Sequence, residues 1–394
     1  MNNRRLFFVG LMLVAATLPA RLLVPVAAAQ TPDAQTPPKY EMLVMGDSIV
    51  WGQGLEEEQK FTTLVRNDVA RRLGREVNVV NKSHSGATIR PKDKTTLVEH
   101  GEVPLNTPTL WQQLDAAIAE YKCEERTGQK DKSDRRKYKC KGVDLVLLDG
   151  CINDVGISKL LNPFAFESSI KKASRKYCFQ KMKEFLDEVL ATFENATVVV
   201  TGYYPIICAG EGGTNPKLIR DLIRSYLGLE KRGELKIEES DKKSRSWLVD
   251  RMSKRSALWK KVSDEDLSAA VDAANQTAAG TRAVFVKVDF KTSECFAASD
   301  TKLWRLMGFD AKKNPITDDR WLTRRIETIC PKAKIDMNAA DMAPFSRLFL
   351  IAFCKPAGAG HPNEKGAQKY ADAILAQLRQ KLPVVASPTP PIVN

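Results

Sequence analysis

The chain has 394 residues, 43% hydrophobic and 28% charged. These are ordinary proportions for a water-soluble globular protein with a sizeable core, and they exclude a collagen-like, low-complexity or disordered chain. Lys and Arg outnumber Asp and Glu by 61 to 48, a formal net charge of +13, which favours anionic surroundings such as phospholipid head groups or a cell envelope. No nucleic-acid-binding module accompanies that charge.

Asn2-Asn3-Arg4-Arg5 is a basic leader. Leu6 to Ala20 is an apolar run broken only by Gly10 and Pro19, and Ala27-Ala28-Ala29 offers small residues for cleavage before Gln30. Together they predict a secretory signal peptide over residues 1–29, and hence a secreted or periplasmic protein. The alternative is a retained anchor, but the run is short for a membrane span and Arg21 follows it. Residues 1–29 hold three arginines and no acid, so the remainder keeps a charge of about +10. Residues 30–39, rich in Pro and Thr, read as a linker, and the Pro-rich residues 384–394 as a tail.

Between them, Val- and Leu-rich runs predict strands over 40–46, 76–81, 143–149, 196–202 and 283–289. The runs show little alternation, as in strands covered on both faces. Helical periodicity predicts helices over 57–73, 108–122, 168–193 and 364–381. Alternation of the two predicts an α/β domain over 40–383, built on a doubly wound parallel five-stranded sheet. Two stretches exceed what the sheet needs. Residues 208–280 are charged and helical in pattern, with apolar stripes through Leu218, Ile219, Leu222, Ile223, Tyr226 and Leu227, and through Trp247, Leu248, Met252, Leu258 and Trp259. Residues 291–355 form the other helical insertion. The eight cysteines are an even set in a chain expected to be exported, which favours disulfides. Cys123 and Cys140 bracket a charged loop and are the first candidate pair. No CxxC pair occurs, so zinc is not expected.

The candidate chemistry lies in four blocks. Gly46-Asp47-Ser48 follows the first predicted strand. Asn81-Lys82-Ser83-His84-Ser85-Gly86 follows the second, Gly150-Cys151-Ile152-Asn153-Asp154 the third, and His361-Pro362-Asn363 precedes the last helix. In a parallel sheet the first three blocks gather at one edge, where open α/β sheets bind ligands. A serine needs a base, and the chain has only His84, His100 and His361 to supply one. The blocks and their order resemble the GDSL-type, or SGNH, family of serine esterases and lipases, over most of residues 40–383. The resemblance implies a flavodoxin-like three-layer α/β/α sandwich with helical insertions. It implies Ser48 as nucleophile and His361 as base, with an oxyanion hole from the backbone N–H groups of Ser48 and Gly86 and the side-chain amide of Asn153. Neither a cofactor nor a metal is implied. No GxSxG elbow is present, so the arrangement is not that of an α/β-hydrolase.

Two positions depart from the family. Its acid normally lies three residues before the histidine, where this chain has Gly358, so His361 is oriented by a backbone carbonyl or by an acid from elsewhere, such as the 291–355 insertion. Its Gly-x-Asn-Asp block has Cys151 in place of glycine. Asp47 and Asp154 read as supporting groups that order loops. His84 is a structural residue or a substrate neighbour, His100 a surface-loop residue, and Asn363 a helix cap. Asn81, Asn195 and Asn275 begin glycosylation sequons, which matter only in a glycosylating host. The expected function is cleavage of carboxylic esters of lipids or other acyl esters through an acyl-enzyme. The expected partners are a small-molecule, lipid or polysaccharide ester and an anionic envelope surface. A carbohydrate O-acetylesterase or an acyltransferase would use the same residues. A non-catalytic envelope-binding protein is the alternative of another class.

Overall fold

Apolar runs without alternation require cover on both faces, and five of them assemble into one parallel sheet. The computed structural model describes residues 38–90, 101, 107–130, 136–216, 218–219, 242–278, 280–305, 308–309, 315–316 and 358–381. The expected signal peptide, the tail, His100, Cys330, Cys354 and most of the 291–355 insertion lie outside the described residues. The strands are β1 (Tyr40–Met45), β2 (Val77–Asn81), β3 and β4 (Glu124–Lys130 and Arg136–Lys139, a separate antiparallel hairpin), β5 (Leu145–Leu148), β6 (Thr197–Thr201) and β7 (Ala283–Val286). The sheet order is β2-β1-β5-β6-β7, all parallel. One row of its register runs Val80, Leu43, Val146, Val198, Ala283. Met42 to Met45, Leu145 to Leu148 and Val198 to Val200 all have 0% exposure, so the three central strands are sealed on both faces.

The chain builds β1, moves outward to β2, then returns to the other side of β1 for β5. The connections after β1 and β5 therefore part company at the C-terminal edge, which opens a crevice between them. This is the flavodoxin-like order read along the five sheet strands.

The helices named here are α1 (Ser48–Trp51), α2 (Phe61–Leu73), α3 (Leu110–Glu120), α4 (Ile152–Val155), α5 (Ile157–Leu161), α6 (Glu167–Ser174) and α7 (Met182–Thr192), then a long helix Lys242–Thr277 and the C-terminal helix Glu364–Leu378. The C-terminal helix packs on α2, and α7 packs on α3 and the long helix, giving two layers around the sheet. The helix expected over 57–73 breaks at Lys60, whose ψ of 138° is extended. A 3-10 turn, Glu57–Gln59, precedes the break. The one expected over 168–193 contains a π-helical segment, Arg175–Lys181. Part of the 208–280 region is not an insertion at all. Leu267, Ala270, Val271 and Ala274 on the long helix are buried, and the helix packs on β7. A parallel strand pair requires such a crossover, and this helix supplies it between β6 and β7.

Residues 123–140, read as a charged loop, form the β3–β4 hairpin, and the Cys123–Cys140 disulfide closes its base. Cys151–Cys178 and Cys208–Cys295 are the other disulfides among the described residues. Arg126 donates to the Ala191 carbonyl and Cys140 N–H to the Thr192 carbonyl, so the hairpin is tied to the end of α7. It leads into the N-terminal end of β5, away from the C-terminal crevice. Replacing both Cys123 and Cys140 by Ala is expected to cost about 3 kcal/mol in urea unfolding, from the freed loop. The same variant should keep its catalytic rate at 25 °C; loss of rate without loss of stability would tie the hairpin to the site instead.

Candidate active site

The turn after β1 can be made only with glycine. Gly46 has φ 141°, and a Cβ there would lie 2.0 Å from Asp149 Oδ1. Its peptide is held on both sides by Gln113 from α3. Gly46 N–H donates to Gln113 Oε1 at 2.7 Å, and Gln113 Nε2 donates back to the Gly46 carbonyl at 3.0 Å. Asp47 then caps α1, with Oδ1 accepting the Ile49 N–H at 2.9 Å. Ser48 is the first helical residue, so its N–H belongs to the first turn, where no intrahelical acceptor exists.

Beneath this turn lie two carboxyls with 0% exposure. Asp149, at the end of β5, accepts the Asp47 N–H at 2.6 Å and the Val50 N–H at 3.0 Å. Burial, reinforced by the neighbouring Asp47 charge, pushes the Asp149 carboxyl well above the usual carboxylate range. Burial also raises Asp47, against the hydrogen bonds that favour its anion. Of the two, Asp149 is the carboxyl whose neutral form is favoured more strongly, and Asp47, with its N–H and hydroxyl donors, is the better holder of the charge. The Asp47 Oδ2 receives the Tyr203 hydroxyl at 2.9 Å, and that same hydroxyl accepts the Ile152 N–H at 3.2 Å. One buried tyrosine thus joins the turn bearing Ser48 to the helix bearing Asn153.

The second and third blocks are bound to each other and to the first. His84 N–H donates to the Gly46 carbonyl at 3.0 Å. Gly86, at φ 81°, adopts the left-handed region, and its carbonyl accepts the Thr107 hydroxyl at 3.0 Å. Asn153 Nδ2 donates one hydrogen to the Ala87 carbonyl at 2.9 Å, which fixes the amide and leaves it a second N–H to offer. Asp154 accepts the backbone N–H groups of Ile89 and Arg90 at 2.8 and 3.1 Å, locking this loop onto α4. His84 is 4% exposed, with Nδ1 2.9 Å from the Ser85 carbonyl. Cys151 sits at φ 104°, which accounts for the glycine usual there, and its disulfide to Cys178 in the π-helical segment holds the left-handed backbone.

His361 Nε2 lies 2.7 Å from Ser48 Oγ, so the hydroxyl donates to the imidazole when Nε2 carries no proton. The two residues are separated by more than three hundred positions. Their meeting depends on a clamp the sequence does not advertise. Trp304 N–H donates to the His361 carbonyl at 2.8 Å, and Gly360 N–H to the Trp304 carbonyl at 3.0 Å. Leu303 and Pro362 form a β-bridge, and Tyr204 OH donates to the Gly360 carbonyl at 2.7 Å. The Gly358 carbonyl accepts the His361 main-chain N–H at 3.1 Å. Asn363 caps the C-terminal helix by accepting the Gly366 N–H. Ser48, His361, Gly86, Asn153, Asp47 and Asp154 thus come together at one edge. Gln113, Asp149, Tyr203, Tyr204 and Trp304 join them unannounced; their only sequence signal is that Asp149 and the tyrosines end strands. Among the described residues, no group of three or more His, Cys, Asp or Glu is placed to hold a metal ion.

The buried pair has a measurable consequence. The folded chain holds a proton on Asp149 that the unfolded chain releases above the ordinary value of 3.8. By linkage, the contribution of Asp149 to stability is fully present below that value and is lost as pH rises through the folded pKa. Asp149→Asn removes this contribution, so the melting-temperature difference between wild type and variant should shift against the wild type as pH rises above 3.8. A parallel curve for the variant would show that the proton resides elsewhere.

Comparison with known proteins bears on the whole arrangement. The model of the GDSL-like lipase/acylhydrolase family matches residues 42–374, a span containing all four blocks. Similar solved structures include an extracellular lipase from Streptomyces rimosus, with 12% identity and a TM-score of 0.42 over 86% of this chain and 99% of that one. Phospholipase A1 from Streptomyces albidoflavus NA297 has 11% identity and a TM-score of 0.38 over 88% and 100%. The psychrotrophic esterase EstA from Pseudoalteromonas sp. has 12% identity and a TM-score of 0.31 over 86% and 100%. No curated protein sequence matches the chain. With the family model spanning nearly all of the folded chain, this protein belongs to the GDSL-like lipase/acylhydrolase family and is a carboxylic ester hydrolase.

Proposed function

We propose that the protein is an exported serine hydrolase that cleaves acyl esters through an acyl-enzyme on Ser48. The observation that carries this reading is the 2.7 Å separation of Ser48 Oγ and His361 Nε2 at the switch point of the sheet. Ser48 Oγ attacks the ester carbonyl as its proton passes to His361 Nε2. The carbonyl oxygen becomes an oxyanion, received by the N–H groups of Ser48 and Gly86 and by the free N–H of Asn153. Collapse of that intermediate breaks the ester bond, and the imidazolium returns the proton to the leaving alcohol. Water then repeats the sequence on the acyl-enzyme, with His361 again as base, releasing the acid and restoring Ser48.

Asp47, Asp149 and Tyr203 act at one remove, since each holds backbone rather than substrate. The 360–304 clamp positions His361 without a carboxylate at residue 358. The leader over residues 1–29 and the three disulfides support export.

A fluorophosphonate probe tests the nucleophile. Ser48→Ala should lose both labelling and hydrolysis of a chromogenic ester while the melting temperature hardly changes. His361→Ala should lower kcat by several orders of magnitude, because the pair acts as a unit. Labelling that persists in Ser48→Ala sinks the assignment.

Tyr203→Phe tests whether the two halves of the site are held in register. The variant removes the one hydroxyl shared by Asp47 and Ile152. It is expected to lower kcat about 10- to 100-fold with KM little changed, as a small displacement of reacting groups does. If stability falls but kcat does not, Tyr203 is a core residue only.

A further inference from the structure

Three large apolar side chains stand in solvent among the described residues. Phe164 is 57% exposed, Phe166 79% and Trp247 49%. Phe164 and Phe166 lie on the turn between α5 and α6, and Trp247 lies near the N-terminal end of the long helix. The Phe164 and Trp247 ring centroids are 6.1 Å apart, so residues distant in sequence form one aromatic patch. Isolated exposed apolar residues need no explanation, but a cluster marks a contact surface.

The turn is also built to keep its shape. Arg255 is 1% exposed and donates to the carbonyls of Lys159, at 2.6 Å, and Ala165. Arg251 Nε donates to the Pro163 carbonyl at 3.1 Å. A buried guanidinium is costly to hold in a fold, and here it is spent on two backbone carbonyls, one of them, Ala165, between the two phenylalanines. On the inner face of the same helix, Leu248, Val249 and Met252 are buried, so Trp247 is not simply a misplaced core residue.

Charge identifies what the patch meets. Residues 159–176 contain five Lys and Arg against one Glu, and the long helix adds the exposed Lys254 and Lys261. Lys171, Lys172, Lys176 and Lys254 are exposed. Protein-binding surfaces are poor in lysine. Exposed aromatic rings flanked by lysines fit an anionic lipid surface, where rings enter the headgroup boundary and cations meet the negative leaflet. The patch also adjoins the site: α4, which carries Asn153, packs against both α5 and α6.

We propose that the turn carrying Phe164 and Phe166, together with Trp247, docks the protein on an anionic phospholipid surface and so presents the active-site edge to lipid esters. The docking stands on the patch itself; its service to catalysis rests on the esterase reading above.

Co-sedimentation of the full chain with vesicles of phosphatidylcholine, with and without phosphatidylglycerol, tests the proposal. The chain should bind the phosphatidylglycerol vesicles more tightly, and added salt should weaken that binding. Phe164→Ser/Phe166→Ser/Trp247→Ser should lower binding about tenfold or more. Hydrolysis of a soluble short-chain ester should be unchanged, while hydrolysis of vesicle phospholipid falls with binding. Phe166→Ser alone, at the most exposed position, provides a smaller effect of the same sign should the triple variant misfold. Three outcomes overturn the docking surface: no vesicle binding by the wild type, equal binding by the variants, or loss of a dimer in sedimentation equilibrium on substitution. Failure to cleave soluble esters while vesicle binding persists would instead remove the esterase reading and leave the docking surface in place.

Discussion

Asp149 lies with no solvent exposure beneath the turn Gly46–Asp47, and both its oxygens accept backbone N–H groups from the residues flanking Ser48. The geometry demands glycine above it, since any Cβ at Gly46 would collide with the carboxyl oxygen. It also favours the neutral form of that carboxyl, since burial and the adjacent Asp47 charge both oppose its ionisation. The direction of α1, and with it the Ser48 hydroxyl, follows from these two constraints. Asp47 carries the constraint onward through Tyr203 to Ile152, so the turn bearing Ser48 and the α4 loop share one buried hydroxyl. A half-satisfied buried network of this sort would be worse than an apolar core, which is why each of its members has a partner.

The same edge explains how the chain manages with two departures from its family. Where a carboxylate is usual, Gly358 offers none. The loop bearing His361 is held by the Trp304 main chain on one side and the Tyr204 hydroxyl on the other. Where glycine is usual, Cys151 keeps a left-handed backbone with its side chain bound to Cys178. Both draw on distant parts of the chain: the start of the 291–355 region and the π-helical segment.

The sheet was legible because strands buried on both faces leave long apolar runs, and all five lie within a few residues of the predicted spans. The four blocks were legible because their glycines, Asn153 and the Ser48–His361 pair are dictated by chemistry that tolerates few residue types. What escaped was of another kind. The β3–β4 hairpin is polar and held by a disulfide, so it has no alternation to read. The crossover role of Leu267 to Ala274 was hidden inside a helix whose first half has a different task. Gln113, Asp149 and Tyr203 act through hydrogen bonds to backbone, and nothing in a single sequence marks which buried polar residue accepts which N–H.

The long helix connects these levels. Its C-terminal half covers the sheet as the β6–β7 crossover, and its middle places Trp259 against the Tyr203 ring, with centroids 5.3 Å apart. Its N-terminal half holds the Phe164–Phe166 turn through Arg251 and Arg255. A helix is stiff along its axis, and its hydrogen-bonded turns transmit position rather than absorb it. The aromatic patch and the Tyr203 ring therefore both pack on one helix. An extension that serves only to cover the core would end where the sheet ends. This one runs on past the sheet and puts a buried arginine under an exposed aromatic turn, which makes physical sense when the turn has something to hold.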